Sequence, residues 1–259
     1  MDRLAVIRAE SDLLSDTLTT CDAAARVPCC PDWDAHDLLW HLTEVHLFWT
    51  TVLSQGIRTE DELEALDKPQ RPDGLEALVA ARADATEQLI TQLETHQDDE
   101  TAWSWFAADQ TVGFTRRMQT YEATIHRVDA QMTAGVPVGP LAADVAAGAV
   151  DHCVDVMWLG WWPPDATYEP QSVVELVATD SDDRWLVQLG HITGEHEWLG
   201  GVFDVPAAKR ADGGEPLASV RGTLNDLALW AWTRGGEVEI TGAEQAVAEI
   251  GALHGYGIQ

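Results

Sequence analysis

Glu122 and His126 lie four residues apart in the run Arg117-Met-Gln-Thr-Tyr-Glu-Ala-Thr-Ile-His-Arg-Val-Asp-Ala130. On an α-helix that spacing stacks a carboxylate and an imidazole on one face, a turn apart. Both groups bind divalent metal ions, and one more side chain would complete a three-ligand site. His41, in Asp37-Leu-Leu-Trp-His-Leu-Thr-Glu-Val-His46, is the third donor. Asp129 falls one turn beyond His126 and would orient that imidazole or add a ligand. Two imidazoles and a carboxylate leave at least one position open, where an ion lowers the pKa of a bound water or thiol. The same residue types also have ordinary readings: a surface i,i+4 pair and a hydrogen-bonded core histidine. A metal site therefore requires two helices packed side by side.

The pattern supplies those helices. Leu4, Ile7, Leu14 and Leu18 mark a helix over residues 3–21, and Pro28 and Pro31 break the chain into a loop. Asp34 is placed to cap a second helix, with Asp37 in its first turn. Leu38, His41, Val45, Phe48 and Val52 form one stripe of it, widened by Leu42 and Trp49. His46, about 140° further round, is expected to be exposed or at most to support the ligands. Residues 54–72 read as a loop, 74–95 and 111–134 as helices, and 140–159 as a fifth helix carrying His152. Trp40 and Trp49 are expected to wall a pocket near His41, and Trp158, Trp161 and Trp162 to cover the junction with the C-terminal third of the chain.

After Trp161-Trp-Pro-Pro-Asp165 the character changes. Segments 172–179, 184–189, 217–221 and 237–241 read as strands. Thr223 with Asp226 starts a helix, and a last one runs 243–253. The expected architecture is α+β with two domains: a helical bundle over 1–160 and a small α+β domain over 168–259.

Acidic residues number 44 against 15 basic ones, a net charge of −29, and only Lys68 and Lys209 are lysines. That balance excludes binding to nucleic acid or to an anionic membrane surface. No apolar run is long enough to span a bilayer. The first ten residues lack the apolar segment of a secretory leader, and Cys21, Cys29, Cys30 and Cys153 form no disulfide framework, so the cytoplasm is the expected compartment. Cys29 and Cys30 could bind metal but lack a CxxC partner pair, and buried or half-buried free thiols are expected.

Four segments carry a resemblance: Cys30-Pro-Asp-Trp33, the run Asp37–His46 with Phe48-Trp49, Glu122–Ala130, and Gly222-Thr-Leu-Asn-Asp-Leu-Ala-Leu-Trp-Ala-Trp-Thr-Arg234. Through them the chain resembles the mycothiol-dependent maleylpyruvate isomerase family of actinobacteria. The resemblance implies a DinB-like up-down helical bundle that binds a divalent metal, typically zinc, and a C-terminal α+β domain that helps close the site. It implies His41, Glu122 and His126 as ligands and mycothiol or a similar thiol as cosubstrate. The implied chemistry is attack of an activated thiol on a small electrophile, as transferase or cis-trans isomerase. Partners would be the thiol and the electrophile, in a monomer or homodimer. A diacid substrate would need cations, for which Arg116, Arg117, Arg127, Arg221 and Arg234 are available; Arg221 is the catalytic candidate. Two other readings fit the donor set: a non-catalytic protein binding a metal or small ligand, and an iron-dependent oxidative enzyme, since two histidines and a carboxylate also suit non-haem iron.

Overall fold

The computed structural model describes residues 1–160, 162, 163, 165–196 and 200–258. The chain divides into two compact units, Met1–Gly139 and Pro140–Gln259.

The first unit begins with α1 (Arg3–Leu18), where the Asp2 carboxylate accepts from the Ala5 amide. A small antiparallel hairpin, β1 (Arg26–Val27) and β2 (Cys30–Asp34), occupies the proline-marked loop. Asp34 ends this hairpin and starts α2 (Ala35–Gln55). Its carboxylate accepts from the His36 and Asp37 amides, while Asp37 accepts from the Asp34 amide. This reciprocal cap fixes where α2 begins, and hence the level of His41 along it. Gly56, at φ 65°, closes the other end in the left-handed conformation. A five-residue helix, α3 (Glu60–Glu64), lies inside the segment expected as loop, started by a Thr59/Glu62 capping box. Then come α4 (Leu75–Thr95) and α5 (Val112–Thr133), within a residue or two of the expected spans.

Helices α1 and α5 pack along each other, as do α2 and α4, and contacts of α1 with α4 and α2 with α5 close a four-helix ring. Its core has two apolar ends. Ile7, Trp49, Leu89 and Val112 belong to one, and Leu14, Leu38, Leu78 and Ala130 to the other. Between these levels every helix of the ring contributes buried polar groups: Ser11, His46, Arg82 with Thr86, and Gln119. Several of the buried hydroxyls are satisfied by the helices themselves, while those of Ser11 and Thr115 are not. Thr43, Thr120 and Thr124 each donate to the carbonyl four residues earlier.

The inward line of α2 differs from expectation. It runs through Leu39, Leu42, His46, Trp49 and Leu53, all buried, whereas His41, Val45 and Phe48 are half-buried. His46 is thus interior, not exposed. The apolar band of α2 is wide, and the helix touches both α4 and α5, so the band's middle faces inward and its edge, with His41, does not.

In the second unit, α6 (Ala143–His152) continues as one π-helical turn, Cys153–Met157. The sequence pattern assigns this helix to the bundle. Its contacts are instead with the second unit: Trp232 donates its indole N–H to the Ala149 carbonyl, Trp185 to Asp151, and Arg210 pairs with Asp151 and Asp155. Hence the division falls at Gly139, ahead of the helix. His152 accordingly stacks on Trp232, and Trp158 and Trp162 pack on Trp230 and Phe203 of this same unit. Trp161 lies outside the described residues.

The sheet comprises β3 (Thr167–Ala178), β4 (Arg184–His196), β5 (Gly201–Arg210), β6 (Ala218–Gly222) and, after α7 (Leu224–Ala231), β7 (Glu239–Gly242). Helix α8 (Glu244–Tyr256) follows, and Thr223 caps α7 through the Asp226 amide. Strand order is β5-β4-β3-β6-β7, with β3 and β6 parallel and the other pairs antiparallel. Strand β5 has no counterpart among the strands expected from sequence. Pro206 and a pair of alanines mask its pattern, and a proline is tolerated there because β5 is an edge strand. The α+β class, with a helical N-terminal region and a C-terminal sheet, is as expected.

Candidate metal centre

Packing of α2 against α5 brings His41, Glu122 and His126 together. One donor atom from each lies within 4.8 Å of the others. Among the described residues this is the only group of three His, Cys, Asp or Glu side chains so disposed. Nε2 of His41 and Nε2 of His126 each lie 3.1 Å from the same Glu122 oxygen, Oε1. The His126 side chain is 8% exposed and Glu122 13%, while His41 is 27% exposed and marks the open side.

Asp129 is fully buried, and its Oδ2 accepts from His126 Nδ1 at 2.9 Å. That bond holds the ring with Nε2 toward His41 and Glu122. The other Asp129 oxygen accepts from the Cys29 thiol at 2.8 Å. Cys29 and Cys30 are in no disulfide, and of the buried and half-buried alternatives both take the half-buried one. Trp33 lies on the His41 ring, centroids 4.7 Å apart, and His126 meets the same ring edge-on at 4.7 Å. Trp40 does not do this; it packs in the apolar cluster around Leu38, and the β-hairpin contributes Trp33 instead. Trp33 belongs to the Cys30–Trp33 motif, but its contact with His41 depends on a hairpin that no local pattern announces.

The electrostatics tie one carboxylate closely to two imidazoles. Burial alone would raise the Glu122 carboxyl, yet His126 and His41 outweigh it and hold it well below the usual carboxylate range. Burial alone would lower His126, but Glu122 and Asp129 push it up to about 9. His46 is the counterexample in the same bundle. Burial drives it down to about 3, against the pull of Glu122. The Thr86 hydroxyl donates to the Arg82 carbonyl, so His46 Nδ1 must be the donor to Thr86, at 3.0 Å. Nε2 of His46 then has no partner among the described residues, like both amide atoms of Gln119 and the Ser11 hydroxyl.

The arginines are mostly committed elsewhere. Arg116 pairs with Asp98, Arg117 with Asp109, and Arg127 is a buried strut bonded to Glu10, Gln131 and the Gly139 carbonyl. Arg234 is also buried, on the carbonyls of Trp232 and Ile258. Arg221 stands exposed on β6 of the second unit, in register with Glu239.

A helical bundle with a histidine-histidine-glutamate cluster, joined to an α+β unit, defines the class. Residues 4–131 match the family model described as "Mycothiol maleylpyruvate isomerase N-terminal domain", and this region of the chain belongs to that family. The fold is that of a solved mycothiol-dependent maleylpyruvate isomerase, at 15% identity and a TM-score of 0.60, covering 93% of this chain and 92% of that one. A histidine-to-alanine mutant of that isomerase matches to the same extent. No match among curated proteins reaches significance.

Proposed function

We propose that this chain uses a low-molecular-weight thiol such as mycothiol, as a transferase or isomerase acting on a small electrophile, with His41, Glu122 and His126 holding a divalent metal. The observation that carries the reading is the convergence of two imidazole Nε2 atoms on one buried carboxylate oxygen, each at 3.1 Å. Two nitrogens and one oxygen suit zinc, and three protein ligands leave a place for a thiol. Bound there, the metal would lower the thiol's pKa so that it stays a thiolate at neutral pH.

The chain's own residues do the rest. Asp129 accepts from His126 Nδ1, which leaves Nε2 as the nitrogen that would face a metal once its proton is lost, and Trp33 lies against the His41 ring. The Glu122 charge helps offset that of a cation, which makes the buried triad less costly than three unpaired polar groups. Sulfur attack on a conjugated alkene forms a C–S bond as the π pair moves into the adjoining carbonyl. Rotation about the new single bond and return of that pair expels the thiolate and leaves the isomer. Where the adduct instead takes up a proton at carbon, the outcome is transfer.

Elemental analysis of the purified protein beside His41→Ala, with a thiol-consumption assay, tests the reading. Stoichiometric zinc lost in the variant and thiol-dependent turnover are expected. Wild type without metal, or a variant that keeps it, overturns the ligand assignment. Zinc without turnover would leave a non-catalytic metal protein, and iron with oxygen uptake an oxidative enzyme.

A further inference from the structure

The half-buried edge of α2 forms one wall of a cavity of about 490 Å³ that begins at His41. His41, Val45 and Phe48 follow one another at i, i+4 and i+7, so a single helix face runs from the candidate ligand into the cavity. The opposite wall comes from α3 and the chain just after it, through Leu63 and Leu66. Trp49 adds an aromatic surface, held from behind by Trp103 at 6.0 Å.

Charges are few and have a definite sign. Glu44, one turn beyond His41, and Asp67 both line the cavity, against one cation, Lys68. No arginine lines it among the described residues. Two carboxylates against one ammonium repel a dianion but tolerate a single anionic group beside Lys68.

Resting on the thiol-transfer reading, we propose that this cavity is the electrophile site and that it takes an alkyl or aryl body bearing at most one anionic group, rather than a dicarboxylate. The apolar walls bind the body, Lys68 meets the single anion, and the His41 end directs the reactive carbon toward the metal position. The chain would then act on a class of electrophile different from the diacid maleylpyruvate of the relative whose fold it shares.

Three probes with a conjugated alkene separate the cases: benzylideneacetone (neutral and aryl), its ring carboxylate (one anion) and maleate (two anions). Binding is read without thiol, by quenching of tryptophan fluorescence in the zinc-loaded full chain. The aryl ketone and its carboxylate should bind at least about tenfold tighter than maleate, given the apolar area covered. Leu66→Asp should weaken both aryl probes about tenfold, whereas Lys68→Gln should weaken only the carboxylate, about threefold to tenfold. Unchanged zinc content and circular dichroism confirm that each variant is folded. Maleate binding as tightly as the aryl probes, no aryl binding, or indifference to Leu66→Asp would overturn the proposal. Thiol conjugation is scored separately. Aryl binding that depends on Leu66 but yields no thiol adduct would sink the thiol-transfer reading and leave the cavity assignment standing.

Discussion

His41 and His46 sit five residues apart on one helix and end in opposite conditions. His41 stands at the edge of α2's apolar band, partly exposed, with its Nε2 on a carboxylate shared with His126. His46 occupies the band's middle, fully buried, with one nitrogen on Thr86 and the other without a partner among the described residues. His126 is nearly as deeply buried, its side chain 8% exposed, yet that ring is pushed up to about 9 and His46 down to about 3. A direct carboxylate contact, not depth, decides which buried imidazole carries charge. An apolar stripe with a histidine on it therefore says little until the acid opposite is known.

The comparison breaks most visibly through metal content. Glu122→Ala should bring bound metal to background in elemental analysis, while His46→Leu should keep it at the wild-type level. If both variants lose metal equally, His46 is part of the site and the contrast fails. Stability comes next. His46→Ala should cost about 2–4 kcal/mol in urea unfolding, through the cavity it leaves. His46→Leu should stay within about 1.5 kcal/mol of wild type, since it keeps volume and removes the unpartnered nitrogen. Asp129→Asn should weaken zinc binding by about 10- to 100-fold in a chelator competition while the fold persists, because the acceptor of His126 Nδ1 loses its negative charge.

A pH series sharpens the contrast further. The folded His46 stays neutral well below its ordinary value of 6.5, whereas the unfolded chain takes up a proton there. Stability from this group is therefore full above 6.5 and falls with pH toward about 3, by about 1.4 kcal/mol per unit. Glu122, Arg82, His41 and His126 act on the same ring, so the effect is read as wild type minus His46→Leu, both free of metal. A difference that stays flat between pH 6.5 and 4 would show that His46 finds a charge partner. The smallest effect is at the cap. Asp34→Ala should lower stability by about 1 kcal/mol and leave the metal in place.

Much of this was legible in the chain. The Asp34/Asp37 cap and the Glu122-x-x-x-His126 spacing are local signals, and they located α2, α5 and the three donors. The face of α2 was not, because both lines of its band are apolar and only the two neighbours of α2 choose between them. Trp33 was hidden for a similar reason: its position depends on a hairpin whose two prolines read as loop. Strand β5 was masked by Pro206, whose place at a sheet edge is a tertiary fact. The cavity beyond His41 needed α3 and residues 63–69 to fold back over Val45 and Phe48, which no periodicity expresses.

The parallel pairing of β3 with β6 has a consequence in the order of synthesis. Val174 must wait for Ala218 before its strand gains that neighbour, whereas β3, β4 and β5 are consecutive antiparallel partners. A nascent chain therefore has His41, Glu122 and His126 in hand long before the sheet of the second unit can close. A chain stalled within β5 would already carry all three residues of the cluster while lacking β6 and β7.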